Sequence, residues 1–115
     1  MGIDLGGTNV RCGLVNRSRV SDIHAIRVSS RASEEEVMEE IFSVADLLMS
    51  SSVTAIGIGV PSVVDLEKGI VYDVQNIPSW KEVALKKRME EKYKVPVIVN
   101  NDANCYALGE FYYGK

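Results

Sequence analysis

Four polar side chains end the apolar run that begins at Pro96: Asn100, Asn101, Asp102 and Asn104. One of them would serve as a helix cap, because a side-chain oxygen accepts a hydrogen bond from a free N–H of the first turn. Four such side chains are more than one helix cap requires. Asp102 has the chemistry of a general base, since a carboxylate takes the proton of a substrate hydroxyl while neighbouring amides orient that hydroxyl. One of Asn101 and Asp102 is also expected to cap the helix, which leaves the other for catalysis.

The segment "DLGGTN", which begins at Asp4, has the composition of an anion-binding loop. Gly6 and Gly7 allow a sharp turn that brings backbone N–H groups close to a phosphate, and Thr8 and Asn9 add side-chain donors. Asp4 would face the same mouth and hold Mg²⁺ through water. A tight glycine hairpin without a ligand is the alternative. The sequence contains no Walker motif, so phosphate binding here would not be of the P-loop kind.

Two further loops contain candidate ligand contacts. "GIGVPS" superficially imitates a dinucleotide fingerprint, but Pro61 and a hairpin follow where a helix should receive the pyrophosphate. Gly57 and Gly59 instead allow close approach of a helix or ligand, and Pro61 and Ser62 shape the loop at the strand end. Packing alone is the alternative explanation. Asn76, in "VQNIPSW", is expected either to bind a polar ligand or to hold its turn.

Hydrophobic periodicity predicts the strands that position these loops. Residues 3–5, 10–15 and 20–28 alternate as three strands, and the turn "NRSR" makes them an antiparallel meander. The apolar runs 53–60 and 96–100 predict two more strands. "VVDLEKGIVYDV" predicts a small hairpin that turns at Lys68 and Gly69.

Capping boxes predict where the helices begin. Ser33 with Glu36 begins one helix, and Ser79 with Glu82 begins a second. A last helix is expected after the polar cluster. Strands that alternate with helices imply right-handed crossovers, so the fold class is α/β, with the meander extended by parallel strands and helices packed on the faces of the mixed sheet. Ligands of such sheets gather at the carboxyl ends of the parallel strands, where the polar cluster lies.

Composition narrows the class of protein. The 115 residues form one domain by length, 46% are hydrophobic and 25% charged, and the net charge is −3 with both signs interspersed. This is not the basic footprint of a nucleic-acid binder. Cys12 and Cys105 lie far apart and match neither a disulfide framework nor a zinc site. No apolar stretch is long enough for a membrane span and no leader precedes the first strand, so a cytoplasmic protein is expected.

Four segments together resemble the amino-terminal half of the ROK family of sugar kinases and sugar-responsive repressors: "IDLGGTNVRCGLV", "GIGVPSVVD", "NIPSW" and "PVIVNNDANCYALGE". The resemblance implies an ATPase fold of the actin, hexokinase and Hsp70 type, with a ribonuclease H-like sheet and a cleft between two lobes. Residues 1–115 would be the amino-terminal lobe, and the carboxy-terminal lobe is absent from this chain.

The resemblance also implies roles for the polar residues. Asp102 is similar to the catalytic base that deprotonates the sugar hydroxyl attacking the γ-phosphate of ATP, and Asn101 to the sugar-binding amide beside it. Pro61, Ser62 and, more weakly, Asn76 belong to the sugar-binding loops. Ser62 departs from the family pattern, because glycine usually follows the proline there.

The resemblance implies nucleotide-binding roles for residues of the first motif, "IDLGGTNVRCGLV". Gly6, Gly7, Thr8 and Asn9 are similar to the loop that meets the phosphates, and Asp4 to the carboxylate near Mg²⁺. The expected cofactors are therefore ATP and Mg²⁺. Any zinc would belong to the family's second half, and none is expected here.

The resulting prediction is the amino-terminal lobe of an ATP-dependent hexose kinase, with sugar and ATP as partners and no nucleic acid or membrane. The intact protein is expected to be a homodimer, and this chain alone to be inactive because half of the cleft is missing. The alternative is the effector-sensing lobe of a sugar-responsive repressor, and a third possibility is a lobe with neither ligand nor activity. The sequence does not name the sugar.

Overall fold

The computed structural model describes residues 1–16 and 19–101. Asp102, Asn104, Cys105 and the predicted last helix lie outside the described residues. Eight strands and two helices follow one another in these ranges. In chain order they are β1 (Gly2–Leu5), β2 (Asn9–Asn16), β3 (Arg19–Arg27), α1 (Glu34–Leu48), β4 (Ile56–Val60), β5 (Val63–Asp65), β6 (Ile70–Tyr72), β7 (Glu82–Val83), α2 (Leu85–Tyr93) and β8 (Val97–Asn101).

The main sheet has five strands in the order β3-β2-β1-β4-β8. The first three pair antiparallel, as the short turns between them require, whereas β1, β4 and β8 run parallel because a helix separates β3 from β4 and β4 from β8. This confirms the predicted α/β class, a meander extended by parallel strands. A smaller antiparallel sheet, β5-β6-β7, lies between β4 and α2 in the chain.

Helix α1 begins as its sequence predicts. The Ser33 hydroxyl accepts a hydrogen bond from the Glu36 backbone N–H at 3.2 Å, and the Glu36 carboxylate accepts one from the Ser33 N–H at 3.2 Å. This reciprocal pair satisfies two N–H groups that a helix start leaves unpaired. The apolar face of the helix is buried along its length, through Val37, Met38, Ile41, Phe42, Val44, Ala45 and Leu48.

Helix α2 begins later than predicted, so the second capping box was wrong. Glu82 belongs to β7 and pairs with Tyr72 of β6, which commits its backbone to a sheet ladder. The helix starts at Leu85 after Ala84, which makes no side-chain cap. The Ser79 hydroxyl is buried without a hydrogen-bond partner in the described residues, and therefore caps nothing there.

The predicted hairpin between β5 and β6 is confirmed. Asp65 holds its turn by accepting hydrogen bonds from the N–H groups of Glu67 and Lys68 at 3.1 and 3.0 Å. Gly69 has a φ of 65°, a left-handed conformation that glycine adopts without steric cost. The turn residues of the sequence therefore located this hairpin correctly.

Both described helices cover the same face of the main sheet, which we call the helix-covered face. Arg88 of α2 binds Glu35 of α1 through two hydrogen bonds of 2.8 and 2.9 Å. The Tyr93 hydroxyl donates to the Asp46 carboxylate at 2.7 Å. The strand residues buried beneath the helices are Ile3, Leu5, Val10, Cys12, Ile56, Ile58, Val60, Val97 and Val99.

The opposite face is open over β4 and β8 in the described part of the chain. Ile98 is 61% exposed. No described atom comes within 4 Å of the position that a Cβ on Gly57 would take. The close approach expected at this glycine is therefore not made by residues 1–16 or 19–101. Neither described helix is long and apolar enough to cross a membrane.

Candidate functional site

The parallel register of β1, β4 and β8 brings the carboxyl ends of these three strands to one edge of the sheet. Asp4 of β1 pairs with Gly59 of β4, and Val60 pairs with Asn101 of β8. The three strands thus end side by side at the same edge of the sheet. We call this the strand-end edge; it comprises Asp4, the loop 6–9, Pro61, Ser62 and Asn101, together with Asn76, which reaches it from another loop.

The loop 6–9 is a tight connection between β1 and β2. The Gly6 N–H donates to the Asn9 carbonyl at 2.8 Å, and the Thr8 carbonyl accepts from the Val28 N–H at 2.8 Å. Thr8 and Asn9 are exposed, so their side chains are available to a ligand. Among the described glycines only Gly69 has a positive φ. The need for glycine in this loop therefore comes from close packing rather than from a left-handed backbone.

That close packing is between Gly7 and Asn76. A Cβ on Gly7 would lie 2.8 Å from the Asn76 Cβ and 2.9 Å from its amide nitrogen Nδ2, so only glycine fits without displacing Asn76. Asn76 itself has a φ of 69° and is exposed. The third loop, 73–81, therefore touches the first directly. Gly7 and Asn76 are 69 positions apart in the sequence, and no sequence pattern predicted that they would touch.

Trp80 fixes the loop that carries Asn76. Its side chain is fully buried, and its indole N–H donates to the Glu34 carbonyl at 3.3 Å, at the start of α1. The loop is closed by hydrogen bonds from the Asp73 N–H to the Lys81 carbonyl and from the Val74 N–H to the Trp80 carbonyl, both 2.9 Å. The position of Asn76 is thus determined by the core.

The second loop begins at Pro61, directly after the Val60–Asn101 pair. The Ser62 hydroxyl is buried, and no group in the described residues hydrogen-bonds to it. Such an atom costs roughly 1–3 kcal/mol of desolvation until a partner is found. Ser62 is therefore the strand-end residue whose side chain most clearly needs a further contact.

The two asparagines of the polar cluster that the structure describes differ in their surroundings. Asn100 is 7% exposed, and its side-chain oxygen accepts a hydrogen bond from the Asn101 backbone N–H at 2.9 Å. Asn101 is partly buried at the end of β8. Asn100 therefore holds the backbone of the strand end, and Asn101 ends β8 beside Val60. Asp102, the residue after it, lies outside the described part.

Arg11 is a charged neighbour of this edge that sequence reasoning missed. It pairs with Asp4 across the β1–β2 ladder, so both side chains point to the face opposite the helices. Both are exposed. One sequence pattern could have indicated this: Asn9 and Arg11 alternate with the apolar Val10 and Cys12, as expected for a strand with one exposed face. Arg11 adds a positive charge beside the predicted Mg²⁺ carboxylate.

The described side chains whose pKa values are shifted lie away from the strand-end edge. Burial raises the pKa of the Cys12 thiol to about 11. Hydrogen bonding to Arg88 lowers the pKa of Glu35, and burial together with Asp46 raises the pKa of Tyr93. No group of three or more His, Cys, Asp or Glu side chains in residues 1–16 and 19–101 could hold a metal ion.

The sequence profile of the ROK family matches residues 1–115. This chain belongs to the ROK family. It is 32% identical over 121 residues to a glucokinase of Halalkalibacterium halodurans, a match covering 99% of this chain and 36% of the relative. It is 30% identical over 125 residues to a putative xylose repressor of Caldicellulosiruptor sp., covering 99% of this chain and 30% of that protein. The chain thus spans about a third of the length of these curated ROK relatives.

A solved ROK structure confirms the fold. The crystal structure of a ROK family glucokinase from Streptomyces griseus, in complex with glucose and AMPPNP, superposes with a TM-score of 0.83 at 32% identity. The match covers 99% of this chain and 36% of that one. The predicted resemblance and the actin-type ATPase fold are therefore both confirmed. Because ROK relatives include kinases and repressors, membership alone leaves both roles open.

Proposed function

We propose that this chain is the amino-terminal lobe of an ATP-dependent hexose kinase in which Asp102 is the catalytic base. Asp102 accepts the proton of a sugar hydroxyl, the hydroxyl oxygen attacks the γ-phosphorus of ATP, and ADP leaves. A positioned base of this kind contributes about 10²–10⁴ in rate. The proposal is supported by the register of β1, β4 and β8. This register places Asn101, the residue before Asp102, at the same edge as the loop 6–9, which is proposed to bind the phosphates.

The proposed binding roles follow position along the strand-end edge. Asn101 and the Pro61–Ser62 loop lie at adjacent strand ends and would orient the sugar hydroxyl. The loop 6–9 would present its backbone N–H groups and the side chains of Thr8 and Asn9 to the phosphates. Phosphoryl transfer depends mainly on positioning and on stabilising charge. Sugar and phosphate residues at neighbouring strand ends suit that requirement.

Asp4 is proposed to hold Mg²⁺ through water. Its carboxylate is exposed two residues before Gly6, and one carboxylate with several retained waters is a ligand set that Mg²⁺ accepts. When bound with ATP, Mg²⁺ neutralises part of the phosphate charge. Any zinc in the intact protein is proposed to lie beyond this chain.

The test uses the intact protein that carries this chain, assayed for ADP formation with ATP and a panel of hexoses. Asp102→Asn should lower kcat by about 10²–10⁴ while sugar affinity changes little. The matched control is Asp22→Asn, an exposed aspartate on β3 that is remote from the strand-end edge. Near-normal turnover by Asp102→Asn would remove the catalytic assignment.

The second candidate is the sugar-sensing lobe of a repressor, which the likeness to a putative xylose repressor favours. A sensor would bind a sugar without forming ADP from ATP. Calorimetry with the same hexose panel, run beside the ADP assay, separates the two roles. Binding with no ADP would support the sensor.

Under either proposal the chain acts as part of a larger protein. The 115 residues alone are proposed to be inactive, since they span about a third of the relatives they match. The intact protein is proposed to be a cytoplasmic homodimer whose partners are a sugar and ATP, with no nucleic acid in the kinase role. Gel filtration of the intact protein tests the dimer.

A further inference from the structure

The side chain of Asn76 occupies the space beside Gly7 where other residues carry a Cβ. The 2.8 Å and 2.9 Å separations from that position place both the Asn76 Cβ and its amide nitrogen against the phosphate loop. The sequence suggested a weak sugar-loop role for Asn76. The structure instead puts its amide in contact with the loop proposed to meet the phosphates.

The conformation of Asn76 is held in place by its loop. A φ of 69° is uncommon for residues other than glycine, although asparagine tolerates it better than most. Asp73, three residues earlier, also has a positive φ, of 44°. Backbone of this kind persists where the surrounding structure enforces it, and here the buried Trp80 does so. The loop thus presents the Asn76 amide at a fixed place.

The Asn76 amide has free hydrogen-bonding capacity at this place. It is exposed, and within residues 1–16 and 19–101 its side chain makes no hydrogen bond. An amide nitrogen offers two N–H donors, which suit the oxygens of a phosphate. At the same edge, the acidic residue Asp4 pairs with Arg11 across the β1–β2 ladder. A neutral donor here adds to the N–H groups of the loop without adding charge.

We propose that Asn76 donates a hydrogen bond to the phosphate groups of ATP and belongs to the nucleotide half of the site. The inference rests on the proposed kinase function and extends it by one residue. The Asn76 side chain touches the loop 6–9 at Gly7. It acts as a binding residue and takes no part in proton transfer.

The test measures the affinity of the intact protein for Mg-ATP and for the accepted hexose by calorimetry. Asn76→Asp keeps the shape of the side chain and its tolerance of positive φ but places a negative charge against the phosphates. It should weaken Mg-ATP binding about tenfold or more. Asn76→Gly removes the donor and should weaken it several-fold. Hexose affinity should stay within about twofold for both variants.

Gln75→Glu is the matched control, because it adds the same charge one residue away on an exposed side chain. It should leave Mg-ATP affinity within about twofold of the wild type. Weaker hexose binding with unchanged Mg-ATP binding in the Asn76 variants would overturn the inference while leaving the kinase proposal intact. A wild-type protein that binds hexose but no Mg-ATP would overturn both.

The contact itself has a separate test. Gly7→Ala should lower the melting temperature of the intact protein, because the new methyl group meets the Asn76 Cβ. Adding Asn76→Gly removes that Cβ at a φ that glycine accepts, so the double variant should regain stability relative to Gly7→Ala. Additive losses in the double variant would show that the two residues do not touch.

Discussion

The helix-covered face and the strand-end edge differ in where their polar groups find partners. On the helix-covered face, Arg88 pairs with Glu35 and the Tyr93 hydroxyl with Asp46, so these groups are satisfied within the fold. At the strand-end edge, Ser62 has a buried hydroxyl without a described partner and Asn76 presents an exposed amide from a strained backbone. Groups satisfied internally stabilise the fold, whereas unpaired groups held in place cost stability and remain available to a ligand.

The largest effect that this comparison predicts is a loss of stability without a loss of binding. Ile41 is fully buried on α1, so Ile41→Ala should lower the free energy of unfolding by about 2–5 kcal/mol. Urea unfolding of the intact protein, followed by circular dichroism, measures this. Leu47→Ala is the control on the same helix, because Leu47 is 62% exposed, and its effect should stay within about 0.5 kcal/mol. A raised sugar or ATP KM in folded Ile41→Ala would break the comparison.

A smaller loss of stability is expected at Tyr93, and it should depend on pH. Tyr93→Phe removes the hydroxyl proton that Tyr93 donates to Asp46 at 2.7 Å, with the Phe42 carbonyl as a second nearby acceptor at 3.2 Å; this hydrogen bond contributes about 1 kcal/mol or slightly more. Burial and Asp46 raise the folded-state pKa of Tyr93 above its ordinary value of 10.0. Its contribution is therefore fully present below pH about 10 and is lost as pH rises beyond it, because the unfolded chain ionises first.

Unfolding measured between about pH 9 and 11 tests this sign, since the wild type should lose more stability over that range than Tyr93→Phe. Tyr72→Phe is the control, because Tyr72 lies on β6 away from Asp46, and this variant should keep the wild-type slope. Parallel curves for the wild type and Tyr93→Phe would contradict the expected linkage.

The smallest change in stability is expected at the strand-end edge. Ser62→Ala removes a buried hydroxyl without a described partner, so stability should stay level or rise by up to about 1 kcal/mol. If the hydroxyl contacts the sugar, as we propose for this loop, the KM for sugar should rise several-fold. Ser79→Ala is the matched control, since its hydroxyl is also buried without a described partner but belongs to the loop before β7. A fall in stability for Ser62→Ala with an unchanged sugar KM would assign the hydroxyl to the fold instead.

Local sequence patterns predicted an element correctly where no tertiary contact claimed the same backbone groups. The Ser33–Glu36 box begins α1 because nothing else claims those backbone groups. The same pattern failed at Ser79 and Glu82, where pairing of β7 with β6 and burial of Trp80 fix the chain in another conformation. A capping pattern states only what the first turn prefers, and a tertiary contact overrides it.

The candidate site was predictable as a set of loops but not as a set of contacts. Parallel strands separated by helices were enough to place Asp4, Pro61 and Asn101 at one edge. The contact of Gly7 with Asn76 depends on how the Trp80 loop docks on α1, which no local pattern encodes. Asp102 remains a prediction of the sequence and of the family resemblance.

The amino terminus lies at the other end of β1. The Met1 ammonium group donates to the Ala55 carbonyl at 3.0 Å, beside the start of β4. A rise of about 3.3 Å per residue places this point roughly 13 Å along the four residues of β1 from the loop 6–9. Any polypeptide joined ahead of Met1 would therefore leave the lobe from the end of the sheet opposite the strand-end edge.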